Sequence, residues 1–117
     1  MLHRQLAIVF TLLSIPVLLA QTATDRYALI LEDPPVAERF PSKESINSSE
    51  AVTYRKQIEA KQKALRDELA KRKIRVTGSV STVQNAVFVV ATKEQAAELK
   101  SLAGVKDVVP QRRYKTN

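Results

Sequence analysis

Residues 85–110, NAVFVVATKEQAAELKSLAGVKDVVP, read as strand, capped helix, strand. Asn85-Ala86-Val87-Phe88-Val89-Val90-Ala91 is a short apolar run of strand type. Thr92-Lys93-Glu94-Gln95 fits a capping box, in which the Thr92 hydroxyl caps the helix and Gln95 reaches back to it. Ala96, Leu99 and Leu102 then recur at helical spacing, and Gly104 stands where a left-handed stop belongs. Val105-Lys106-Asp107-Val108-Val109-Pro110 is a second strand, ended by a proline that cannot continue a ladder. Val87, Phe88, Leu99, Val105 and Val108 are the expected core residues of this unit.

Upstream, Ile74-Arg75-Val76-Thr77-Gly78-Ser79-Val80 alternates apolar with polar, the mark of a half-buried strand. Gly78 inside it predicts a bulge or a close backbone approach. Ser81-Thr82-Val83-Gln84 turns the chain into the Asn85 strand. Residues 49–73 read as one long helix, about 36 Å at 1.5 Å per residue. Its apolar stripe is Ala51, Tyr54, Ile58, Leu65 and Leu69, interrupted by Gln62. Asn47 or Ser48 can cap it. Glu59–Lys63, Asp67–Lys71 and Glu68–Arg72 are acid-before-base pairs four apart. Two or three imperfect heptads are too few for a coiled coil. Val36 to Asn47, rich in Pro, Ser and charge, reads as a mobile loop. Tyr27-Ala28-Leu29-Ile30-Leu31-Glu32 reads as the first strand, ended by Asp33-Pro34-Pro35.

The order is β-α-β-β-α-β, which predicts an α+β, ferredoxin-like sandwich. Four antiparallel strands would carry two helices on one face. The other sheet face is left open, and an open face invites a partner. The fold by itself does not give function.

Composition narrows the classes. Residues 1–20 form a signal peptide by pattern: a basic head with His3 and Arg4, then an apolar stretch from Leu6 to Ala20. That stretch is short for a membrane span, so cleavage after Ala20, or as late as Ala23, is favoured over an uncleaved anchor. The expected product is exported, secreted or periplasmic, with no membrane attachment after processing. Residues 26–111 are then one small domain with one core. The chain has no cysteine, so an exported domain relies on packing alone and has modest stability.

The net charge is +7, which raises the question of nucleic acid. Export and the scarcity of aromatic side chains, with no Trp, argue against it. A solvated basic helix face is the simpler account.

A search for chemistry is nearly empty. The one histidine, His3, lies in the signal. No Ser-His-Asp, Cys-His or His-based metal set can be assembled from the rest. Glu59, Asp67 and Glu68 have helix-surface partners, and Glu94 and Glu98 lie on a short exposed helix. With Gly78 and Gly104 as the only glycines, a phosphate-cradling loop is not available. The expectation is a monomeric non-enzyme without cofactor or metal.

Residues 74–117 resemble the prodomains of subtilisin-like serine proteases, the propeptide-type inhibitor family, and most of all those of the large plant-like subtilases. The resemblance is carried by Asn85-Ala86-Val87, Thr92, Glu94, Ala96, Leu99, Gly104-Val105, Val108, Pro110, Arg112 and Tyr114, and is looser over 26–73. Ala86 and Val87 stand where the family more often has Gly-Phe. The resemblance implies a secreted inhibitor of a subtilisin-like serine protease. In such a complex the open sheet face docks on the enzyme, and the tail, Arg112, Arg113, Tyr114, Lys115, Thr116 and Asn117, enters the substrate cleft. Tyr114 would be the aromatic anchor, and Asn117 falls about where the family's processing site lies. The basic balance would then favour an acidic enzyme surface. Two alternatives use other logic. One is a prodomain acting in trans as a folding chaperone, or a relic of a longer protease gene. The other is a ferredoxin-like domain that binds a small ligand or regulates a partner.

Overall fold

The computed structural model describes residues 23–111. The signal peptide expected over 1–20 and the tail expected over 112–117 lie outside the described residues. The elements run β1 (Thr24–Leu31), α1 (Val36–Arg39), α2 (Lys43–Ile46), α3 (Ser49–Lys71), β2 (Arg75–Val80), β3 (Ala86–Thr92), α4 (Lys93–Leu99) and β4 (Val105–Pro110). The four strands form one sheet in the order β2-β3-β1-β4, with every neighbouring pair antiparallel. This is an α+β domain with the ferredoxin-like β-α-β-β-α-β topology, as the order of elements in the sequence predicts. Two short helices, α1 and α2, are added in its first crossover.

The main core lies between the sheet and the two longer helices. Leu29 and Leu31 of β1, Val87, Val89 and Ala91 of β3, and Val105 and Val108 of β4 meet Leu69 of α3 and Ala96 and Leu99 of α4. Both helices therefore cover the same face. Alternation along each strand sends the intervening residues to the opposite face. Strand β4 departs from strict alternation. Its Val105 pairs with Leu31 and its Asp107 with Ile30, leaving Lys106 without an opposite residue. This bulge lets Val105 and Val108, three apart, both point inward. A second register shift separates Val76 from Gly78 in β2, which places the expected bulge at that glycine.

Helix ends follow local chemistry. Ser48 caps α3, its hydroxyl accepting from the Ala51 N–H. The far end closes at Lys71 rather than at 73, because Lys73 adopts a left-handed φ of 60°. The Ile74 N–H donates to the Leu69 carbonyl and the Lys73 N–H to the Ala70 carbonyl, a Schellman closure with a lysine at the usual glycine position. Leu69 and Ile74 join the same apolar cluster, which supplies the hydrophobic contact of that motif. At α4 the capping box is present in both directions: Thr92 Oγ1 accepts from the Gln95 N–H, and Gln95 Oε1 accepts from the Thr92 N–H. This helix ends at Leu99, so Gly104, with φ of 86°, serves the turn into β4 rather than the helix end itself.

The expected loop at 36–47 is a packed segment instead. Val36, Phe40 and Ile46 join Ala51, Tyr54 and Ile58 of α3 in a second apolar cluster. The Tyr54 hydroxyl donates to the Pro34 carbonyl at 2.6 Å, and the Arg39 guanidinium lies 4.6 Å from the centre of the Tyr54 ring. The first amides of α1 donate across the chain, Val36 to the Ser81 carbonyl and Ala37 to that of Thr82. Helices of one turn have little stability of their own. Helix α1 is held by amide partners distant in sequence, whereas α2 is capped locally by the Ser42–Ser45 capping box, and both pack apolar side chains on α3.

Candidate interaction surface

The sheet face away from α3 and α4 is apolar at its centre. By register, β1 contributes Ala28 and Ile30, and β3 contributes Ala86, Phe88 and Val90. Ala28 pairs with Phe88 on one side and with Val109 of β4 on the other. Gly78 and Val80 of β2 lie opposite Phe88 and Ala86. Val80 and Val109 flank this centre and are each 41% exposed. Arg26, Arg75 and Asp107 are the charged residues that register places on the same face.

Phe88 corrects the expectation from sequence. It is half-buried and belongs to this open face, whereas its neighbours Val87 and Val89 are fully buried under the helices. The run from Ala86 to Ala91 is apolar on both sides, so its period alone cannot say which residues point to the core. The pairing with β1 settles it. Val87, Leu99, Val105 and Val108 are buried as expected.

Strand β4 is an edge of the sheet. Its pairing with β1 extends one step past Pro110, where the Gln111 N–H donates to the Arg26 carbonyl at 2.9 Å. The chain thus leaves the described region extended, along the sheet edge. Each residue named for the tail, Arg112, Arg113, Tyr114, Lys115, Thr116 and Asn117, comes after this point, outside the described residues.

The polar interior was not legible as such. Gln62, which looks like a break in the stripe of α3, is 2% exposed and is the hub of a buried connection. Its Nε2 donates to the Val80 carbonyl at 2.8 Å and to Asn85 Oδ1 at 2.9 Å. Asn85 Nδ2 in turn donates to the Asp33 carbonyl at 3.0 Å. One amide pair therefore ties α3 to the β2–β3 turn and to the segment after β1. Among the described residues no fully buried side-chain nitrogen or oxygen lacks a partner, so this connection has a structural role.

The expected helix-surface pairs are partly rearranged. Glu68 meets Arg72 at 3.1 Å, as anticipated, but Asp67 takes Lys63 at 3.2 Å rather than Lys71. Lys63 is thereby drawn away from Glu59. No group of three or more His, Cys, Asp or Glu side chains that could hold a metal ion occurs among the described residues. No helix among them is long and apolar enough to cross a membrane.

Comparison with protein-family models, with curated proteins and with solved structures finds no match for this chain.

Proposed function

We propose that this chain is an exported inhibitor of subtilisin-like serine proteases. In this reading residues 1–20 direct export, the domain over 26–111 docks on the enzyme, and residues 112–117 occupy its substrate cleft in extended form. The observation that carries the proposal is the uncovered apolar sheet face beside edge strand β4. That face offers Phe88, Ile30 and Val90 at its centre and Val80 and Val109 at its borders. The strand that borders it leads straight into the tail.

The physical account needs no catalysis by the inhibitor. A docked sheet face covers about 800 Å² per partner in an interface of ordinary size. Apolar side chains at the centre of such a patch contribute most of the affinity. The tail adds by strand pairing along the cleft, with Tyr114 as the anchor in an apolar subsite. The enzyme then holds the equivalent of its own product.

The test is inhibition of a panel of subtilisin-type proteases by residues 21–117, with trypsin as control. Sub-micromolar inhibition is expected for at least one subtilase, on the scale of specific protein complexes. Removing Tyr114 to Asn117 should weaken it more than about tenfold, as should Val109→Asp, which places a charge in the apolar patch. Circular dichroism should show both variants folded. A folded wild-type domain that inhibits none of the panel would overturn the proposal.

A further inference from the structure

The helical face of the domain is not fully closed. Between α3 and the turn that follows α4 lies a groove of about 560 Å³, within the usual range of small-molecule sites, about 300–1,000 Å³. Leu31, Leu65 and Leu102 form its floor. Gly104 stands in its wall, and a side chain begun there would meet nothing within 4 Å. Three carboxylates, Glu32, Asp33 and Glu68, border the groove, against one cation, Lys61.

The balance of charge around this groove is opposite to that of the chain. Asp33 is engaged by Lys61 at 2.7 Å, and that hydrogen bond holds the ammonium above its ordinary pKa. Glu68 is shared with Arg72 at 3.1 Å. Among the described residues Glu32 has a backbone bond, its N–H donating to the Gly104 carbonyl, and no side-chain partner, and its exposed side chain borders both this groove and an adjoining hollow that holds Glu38 and Lys106. A protein of net charge +7 thus has an acidic-rimmed apolar groove.

We infer that this groove is a binding site for a small apolar organic cation, its hydrocarbon body on Leu31, Leu65 and Leu102 and its positive group beside Glu32 and Glu68. An apolar body gains by leaving water, and a carboxylate rim selects the sign of charge. An anion of the same shape meets like charge. The site lies on the opposite side of the sheet from the face proposed to dock on a protease, so it stands or falls separately from that proposal.

The test uses 4-phenylbutylamine as probe and 4-phenylbutyrate as its matched anion, on isotopically labelled residues 21–117, which contain every described element. Saturable shifts of the amide resonances of residues 31–33, 64–68 and 102–104 are expected with the amine. The amine should bind at least about fivefold more tightly than the acid, since the two share a phenylalkyl body and carry head groups of opposite charge. Glu32→Gln, a change at an exposed side chain, should weaken the amine about threefold and leave the acid unchanged or slightly improved. Ala64→Phe, which fills the groove from an exposed helix position, should abolish both. Equal binding of the two probes, shifts centred on the open sheet face, or no saturable shift from the folded protein would each overturn the inference.

Discussion

The two strand–helix–strand units of this domain are built on different terms. The later unit, residues 86–110, is short and closes on signals carried within it: the Thr92–Gln95 capping box, the left-handed Gly104 and a proline at the strand end. The earlier unit, residues 24–80, has a three-times longer helix, two accessory helices and an apolar cluster of its own. Much of what holds it comes from elsewhere. The first two α1 amides are satisfied by Ser81 and Thr82, and the side-chain amide nitrogen of Gln62 of α3 by Val80 and Asn85. A short unit can be specified locally, whereas a long one depends on partners that its own segment does not contain.

Cutting into each apolar cluster should separate the two units most strongly. Ile58→Ala and Leu99→Ala should each cost about 3 kcal/mol, because both side chains are buried and each leaves a cavity. Their patterns in hydrogen exchange should differ. Loss of Ile58 should speed exchange in residues 36–47 more than elsewhere, since the apolar contacts of that segment are made within the second cluster. Loss of Leu99 should raise exchange throughout the sheet. Uniform acceleration in both variants would mean that the two clusters act as one.

A smaller effect probes the link between the units. Asn85→Ala should cost about 2 kcal/mol, because the part-buried Asp33 carbonyl and the buried Gln62 amide each lose a partner. Chemical denaturation of Asn85→Ala, Gln62→Ala and the double variant would give the coupling. Additive losses would show that the buried amide pair is not a shared link.

The smallest effects are expected where the units use different residues for left-handed backbone. Lys73→Gly should stabilise by about 0.5–1 kcal/mol, by relieving a side chain at φ of 60°. Gly104→Ala should destabilise by about 1 kcal/mol through strain alone, since the space around it is open. Thermal melts of the two variants should move in opposite directions.

Legibility in the sequence followed the same division. The capping box, both β4 boundaries and the bulge near Gly78 were readable because each rests on residues within a few positions of one another. Helices α1 and α2 were not, because a Pro- and Ser-rich stretch gives no period; the Ser42–Ser45 cap of α2 is local, but the apolar partners of both helices lie on α3 and the amide partners of α1 in the β2–β3 turn. Gln62 looked like a flaw because its partner Asn85 comes 23 positions later. Phe88 was misplaced because β3 is apolar on both faces, and only pairing with β1 distinguishes them. The open face itself followed from the order of elements, but Val80 and Val109 as its exposed borders required the register.

The bulge in β4 has a bearing on length. Lys106 is the one residue of that strand with no opposite number on β1. It could be deleted, and the valines on either side would still meet Leu31 and Leu29 on a regular pleat. Loss of any paired residue beyond it would instead reverse the facing of everything downstream. Lys106 is thus a slack link, the place where the strand can change by one residue while Val108 to Pro110 keep their pairing with β1.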